Sequence, residues 1–210
     1  LGGNKLDLIM KNITDITLDD VKAWMKAKGY KIFTANGVPN IVGIRNVIKE
    51  TNQFIDKCHV WWTENGKEQS HVYTITTRPG KHYLENPIND KGAGILVPGQ
   101  YLNIWELGMH RGKQFALCQR GGSVKVYRDN NKNDIIDIVP GSIDEGWFGI
   151  DGHHAGEDDA DEIGYYSAGC QVWRFHGAHN SLMNQFNSFS KKYNFKRFSY
   201  TLLLQEDFKD

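Results

Sequence analysis

Two runs rich in β-branched and aromatic residues, Asp56 to Thr63 and Ser70 to Thr77, flank Glu64-Asn65-Gly66. Asn-Gly tolerates the positive φ that a type I′ turn requires, so the pair reads as a β-hairpin. The same strand-and-turn texture runs from Tyr30 to about Asp137. Ile41 to Asn46 is a short apolar run. Phe115 to Gln119 and Ser123 to Arg128 flank Gly121-Gly122 as a second expected hairpin, and Asp129-Asn130-Asn131 makes the next turn. Helical spacing is confined to the ends. Thr17 and Asp20 form a capping-box variant ahead of Leu18, Val21, Trp24 and Met25, and Gly29 stops that helix. Asn180 is expected to cap a second helix carrying Leu182, Met183, Phe186, Phe189 and Tyr193 on one face, before a last strand, Phe198 to Gln205. The expected fold is mainly β, a largely antiparallel sandwich or barrel with one helix near the N-terminus and one near the C-terminus. Residues 1–30 form a lead and helix; residues 31–210 form the β-rich domain with its C-terminal helix and strand.

Forty per cent hydrophobic residues, 12 % of the chain aromatic, suffice for a core in a chain of 210 residues. The 25 basic and 25 acidic residues cancel, so no bulk field draws nucleic acid. No run approaches the roughly 18 consecutive apolar residues of a membrane span. The opening LGGNKLDLIMKNITD lacks the basic-then-apolar layout of a signal peptide. Cys58, Cys118 and Cys170 have neither zinc-site nor CxxC spacing. Cys58 and Cys118 lie in strand-like apolar runs and read as buried thiols or, in an oxidising compartment, as a pair.

Chemistry concentrates between Gly149 and Arg174, GIDGHHAGEDDADEIGYYSAGCQVWR. A thiol becomes a strong nucleophile near neutral pH only with help, because its ordinary pKa is about 8.5. His153 and His154 are candidate bases, twelve residues separating His154 from Ser167, and Cys170 follows in Ser-Ala-Gly-Cys. Adjacent side chains on a strand face opposite ways, so one histidine of the two should face Cys170. The backbone N–H groups of Gly169 and Cys170 are the expected oxyanion donors. Tyr165 and Trp173 are candidates for lining a substrate groove, and most neighbouring aromatics are expected in the core. Glu157, Asp158, Asp159, Asp161 and Glu162 read as a solvated acidic loop.

This segment resembles the active-site segment of the YkuD-type L,D-transpeptidases and L,D-carboxypeptidases, in which a histidine, a loop and Ser/Thr-x-Gly-Cys follow one another. The resemblance spans Val97 to Arg174 and is specific in its last 25 or so residues, with Val97-Pro98-Gly99 resembling the family's Thr-Pro-x-Gly segment. It implies a β-rich catalytic domain acting on peptidoglycan stem peptides, with Cys170 as nucleophile, His154 as base, and Ser167 and Gly169 shaping the loop. His153 is the rival base, because Ala155 follows His154 where the family has Gly. Val172 stands where the family commonly carries an arginine that aligns the loop or binds a carboxylate, and Arg174, two positions later, joins Tyr165 and Trp173 as a substrate-binding candidate. No metal or organic cofactor is implied. The place of action implied is the bacterial cell envelope, reached from a bacterium or a phage, with hydrolysis preferred to transpeptidation.

Two further readings remain. Asp151, His153, His154, Asp161, His176 and His179 contain donors enough for a three-ligand zinc peptidase, His153, His154, Asp161, His176 and His179 foremost. The segment HHAGEDDAD resembles in part the His-x-x-Gly-x-Ala-x-Asp run of D-Ala-D-Ala-type zinc peptidases. A non-catalytic cell-wall-binding or virion domain would keep the fold without the chemistry.

Overall fold

The computed structural model describes residues 9–49, 52–156 and 160–209. Along the chain run α1 (Leu18–Ala27), β1 (Asn40–Arg45), β2 (Asp56–Glu64), β3 (Lys67–Thr76), α2 (Lys81–Glu85), β4 (Ala93–Leu96) and β5 (Gly99–His110). They are followed by β6 (Gln114–Gln119), β7 (Val124–Asp129), β8 (Asp144–Gly146), β9 (Gly152–His154), β10 (Gln171–Trp173), α3 (His176–Lys192) and β11 (Arg197–Leu204). The fold is mainly β, as expected. Eight strands close a barrel in the order β1-β11-β5-β6-β9-β10-β3-β2, and β4-β7-β8 form a separate three-stranded sheet.

The Asn-Gly hairpin forms. β2 and β3 pair over nine rungs, and Asn65 and Gly66 take φ of 51° and 74°, the left-handed values of a type I′ turn. The helix expected after Thr17 also forms. Thr17 accepts from Asp20 N–H while the Asp20 carboxylate accepts from Thr17 N–H, so both halves of the capping box are present. α1 lies on the outside of the barrel, where Val21 and Met25 pack with Val42, Ile44, Trp61 and Leu203.

The second expected hairpin does not form. β6 pairs with β5 and β9, whereas β7 joins β4 and β8 in the small sheet. Gly121-Gly122 is a crossing between sheets. A Cβ on Gly121 would sit 1.7 Å from the Asn103 carbonyl oxygen, so close approach, rather than turn geometry, demands this glycine.

α3 begins four residues before Asn180, with Phe175 as its N-cap, so His176 and His179 belong to its first turns and are not loop residues. Leu182, Met183, Phe186 and Phe189 of α3 join Trp62, Trp105, Leu117, Trp173 and Tyr200 in the main core inside the barrel. The Tyr200 hydroxyl donates to Gln171 Oε1 at 2.7 Å across that interior. Gly43 makes room for it, since a Cβ there would stand 1.9 Å from the hydroxyl.

Most neighbours are antiparallel, but β1 with β11 and β9 with β10 are parallel. Parallel neighbours cannot be joined by a tight turn and need a dozen or more residues of crossover. Residues 155–170 supply that connection between β9 and β10, and this is the segment rich in acidic residues.

Candidate active site

Pleating decides which residues can meet at the β9–β10 junction. Gln171 pairs with Gly152, Val172 with His153 and Trp173 with His154. Cys170 continues that register opposite Asp151, and the Gln171 N–H donates to the Asp151 carbonyl at 2.9 Å. In-register neighbours of a parallel pair point the same way, and side chains alternate along each strand. Gly152, Gln171 and Trp173 face inward, because a Cβ on Gly152 would touch Trp173, Leu117 and Trp105. His154 shares that inward side, with its ring 4.2 Å from His176 and 5.3 Å from His179. Asp151, His153, Cys170 and Val172 take the outward side.

The histidine on the face of Cys170 is therefore His153, not His154. From strand spacing and rise, the Cα atoms of Cys170 and His153 are diagonal neighbours about 8 Å apart. His153 Nδ1 lies 2.9 Å from the His154 carbonyl oxygen. A carbonyl only accepts, so Nδ1 carries the proton and Nε2 keeps the basic lone pair. Burial, reinforced by the neighbouring His110, pushes the His153 pKa down to about 3. The ring is a neutral imidazole at physiological pH.

Two residues lie beside it, and one of them, His110, carries no local sequence signal. His110, at the end of β5, stacks on His153 with ring centroids 4.1 Å apart and planes 15° apart. Its Nδ1 bonds Asp151 Oδ2 at 2.7 Å, and Asp151 Oδ1 accepts from the Gln119 N–H at 2.7 Å. Asp151 and His153 alternate on one strand, a pattern that could have placed them together. His110 is 41 positions from Asp151 and arrives only through the β5–β6–β9 ladder.

Cys170 is 9 % exposed and packs with Phe54, Ala155, Ala160, Ile163 and Val172. Burial pushes its thiol up to about 12, with the Asp151 charge adding to the rise. Its Sγ donates to the Gly149 carbonyl at 3.3 Å. Both groups are uncharged at neutral pH, so any attack by this sulfur would require the thiol to lose its proton.

The turn before Cys170 is tightly built. Ser167 Oγ donates to the Cys170 carbonyl at 2.8 Å and accepts the Gly169 N–H at 3.1 Å. That bond occupies the Gly169 N–H, leaving the Cys170 N–H as the remaining donor of the expected oxyanion pair. Gly169 takes φ of 134°, and a Cβ there would meet the Gly94 carbonyl oxygen at 2.5 Å. Only glycine lets β4 pass beneath the turn.

The expected substrate residues separate. Trp173 is buried inside the barrel and belongs to the core, because its in-register partner His154 also faces inward. Tyr165 is exposed and stacks on His82 with centroids 3.9 Å apart. Arg174 donates to the Ala160 carbonyl at 3.0 Å and to Asp161 at 3.1 Å, on the wall of a cavity of about 800 Å³. Of the acidic run, Asp161 is exposed and Glu162 bonds Asn52, whereas Glu157, Asp158 and Asp159 lie outside the described residues.

The six donors considered for zinc do not converge. His153 and His154 face opposite sides of the barrel wall, and Asp161 is turned out to Arg174. Among the described residues, no group of three His, Cys, Asp or Glu is arranged to hold a metal ion. The three thiols are free: Cys58 packs inside the barrel with Val60 and Trp105, while Cys118 lies on the outer side, so the two cannot pair. Comparison with family models, with curated proteins and with solved structures returns no match to this chain.

Proposed function

We propose that this chain is a cysteine-dependent acyl-transfer enzyme of the L,D-transpeptidase type, acting on peptidoglycan stem peptides at the bacterial envelope, with hydrolysis as the favoured outcome. The observation that carries this reading is the shared outward face of Cys170, Asp151, His153 and His110. Cys170 is the nucleophile and His153 the base. As Sγ attacks an amide carbonyl carbon, His153 Nε2 takes the thiol proton, and the C–N bond breaks as the imidazolium returns that proton to the leaving amine. The carbonyl oxygen carries the charge of the tetrahedral intermediate, and the Cys170 N–H is the nearest backbone donor to it. Asp151 favours the imidazolium while it exists and, through His110, fixes the ring stacked on His153. Water or an amine then resolves the thioester.

A second reading has one observation in its favour. The thiol is covered by Phe54, Ile163 and Tyr166, which suits a wall-binding or virion domain that does no thiol chemistry. Mass spectrometry of fragments released from purified peptidoglycan, by the unaltered protein and by Cys170→Ala, separates the two. Products that vanish in the variant support the enzyme. Products that persist exclude Cys170, and wall binding without products supports the second reading.

A further inference from the structure

A cavity of about 260 Å³ opens where the ends of β1 and β11 meet the segment after β7. Its floor is cationic. Arg45 and Arg78 are 6 % and 2 % exposed, and the only carboxylate bonded to them among the described residues is Asp56, 0 % exposed. Asp56 is already saturated. Its Oδ1 accepts from the Asn46 N–H at 2.8 Å and Arg78 Nη2 at 3.2 Å, and its Oδ2 from the Thr77 N–H and hydroxyl at 2.8 and 2.7 Å. Arg45 reaches it only through Thr77, donating to that hydroxyl at 3.0 Å and to the Thr77 carbonyl at 2.8 Å.

Two guanidiniums that do not lose their charge therefore share one carboxylate. A buried charge left without a partner is costly, so an anion entering here removes a penalty already present in the fold. Arg78 spends donors on the Ile48 and Asn46 carbonyls, but its Nε is buried without a hydrogen-bond partner. Lys49 adds positive charge to the lining; Glu206, an exposed residue, is the one acid in it among the described residues. The walls are apolar. Val47, Ile48 and Ile138 stand exposed around the opening, and Ile136 is buried behind them.

We infer that this cavity binds an organic monoanion, a carboxylate set against Arg45 and Arg78 with a short aliphatic body against Ile48, Ile136 and Ile138. Arginine is suited to the planar carboxylate, and the walls reject a hydrated inorganic ion. A free alkanoate and the C-terminal carboxylate of a peptide ending in an aliphatic residue share this chemistry. The cavity shares no lining residue with the surroundings of Cys170, so the inference does not rest on thiol catalysis.

Calorimetric titration of the full chain tests it, with butanoate, hexanoate, hexanamide and N-acetyl-valyl-isoleucine as probes. Hexanoate should bind about tenfold more tightly than butanoate, each methylene contributing roughly threefold to fourfold. Hexanamide should not bind, and the tighter of hexanoate and the dipeptide acid names the source. Ile138→Glu, an exposed change that leaves folding alone, should weaken hexanoate at least about tenfold by placing a carboxylate at the mouth. Arg45→Gln should abolish binding if it folds. Equal binding of hexanoate and hexanamide, unchanged affinity in Ile138→Glu, or no heat from any carboxylate at about 10 mM would overturn the site.

Discussion

The two faces of β9 and β10 carry similar residues and set them in different surroundings. Inward, His154, His176 and His179 pack around Trp173 at the start of α3, among the aromatic side chains of the core. Outward, His153 stacks on His110, which bonds Asp151, on the face that by register also carries Cys170. One residue of offset separates His153 from His154, yet it puts one ring with the thiol and the other in the barrel. Residue type and spacing along the chain name candidates; the pleat assigns them.

The largest test of this division is Cys170→Ala, which should cut turnover by about 10⁴-fold or more while melting close to the parent protein. Cys58→Ala and Cys118→Ala should keep their turnover. The histidines come next. His153→Gln should cost roughly 10²- to 10⁴-fold in kcat, the usual contribution of a positioned base. His154→Gln should keep activity per folded molecule within about threefold and lower the melting temperature instead. A reversed pattern would mean that the inward histidine reaches the thiol.

Acid separates the faces less completely. Burial lowers His153 and His179 from 6.5 to about 3. Both groups are depressed in the folded state, so the unfolded chain takes up protons first as the pH falls. Their contribution is full above about 6.5 and is lost between there and about 3, of the order of a few kcal/mol each. Urea titrations should show stability falling across that window, with a shallower slope in His179→Gln. The same low pKa predicts that kcat persists at about pH 5, below the ordinary histidine range.

Two smaller effects probe the scaffold behind each face. Gly169→Ala should destabilise by about 2–4 kcal/mol, because the added carbon meets the Gly94 carbonyl and the backbone stays left-handed. Tyr200→Phe should cost about 1–2 kcal/mol by leaving Gln171 Oε1 without its donor inside the barrel. Chemical denaturation reads both.

What was legible in the sequence is what local chemistry controls. The Asn65-Gly66 turn and the Thr17–Asp20 box need only near neighbours, and both form where the pattern placed them. Gly121-Gly122 looks the same locally, but its flanking strands find partners elsewhere, β6 on β9 and β7 on β4. Ser167 as a turn-shaping residue was readable for the same local reason, since its hydroxyl bonds only Gly169 and Cys170. The stacked His110 was not readable, because a long-range ladder brings it in. Trp173 misled because an aromatic three positions from a candidate nucleophile looks like a groove wall until the register turns it inward.

The most direct measurement is intact-mass spectrometry of the protein quenched in acid during turnover of stem-peptide fragments, followed by peptide mapping. The account predicts a transient acyl adduct on Cys170 that accumulates less in His153→Gln than in His154→Gln. Product formed with no adduct, or an adduct on Cys118, would contradict it.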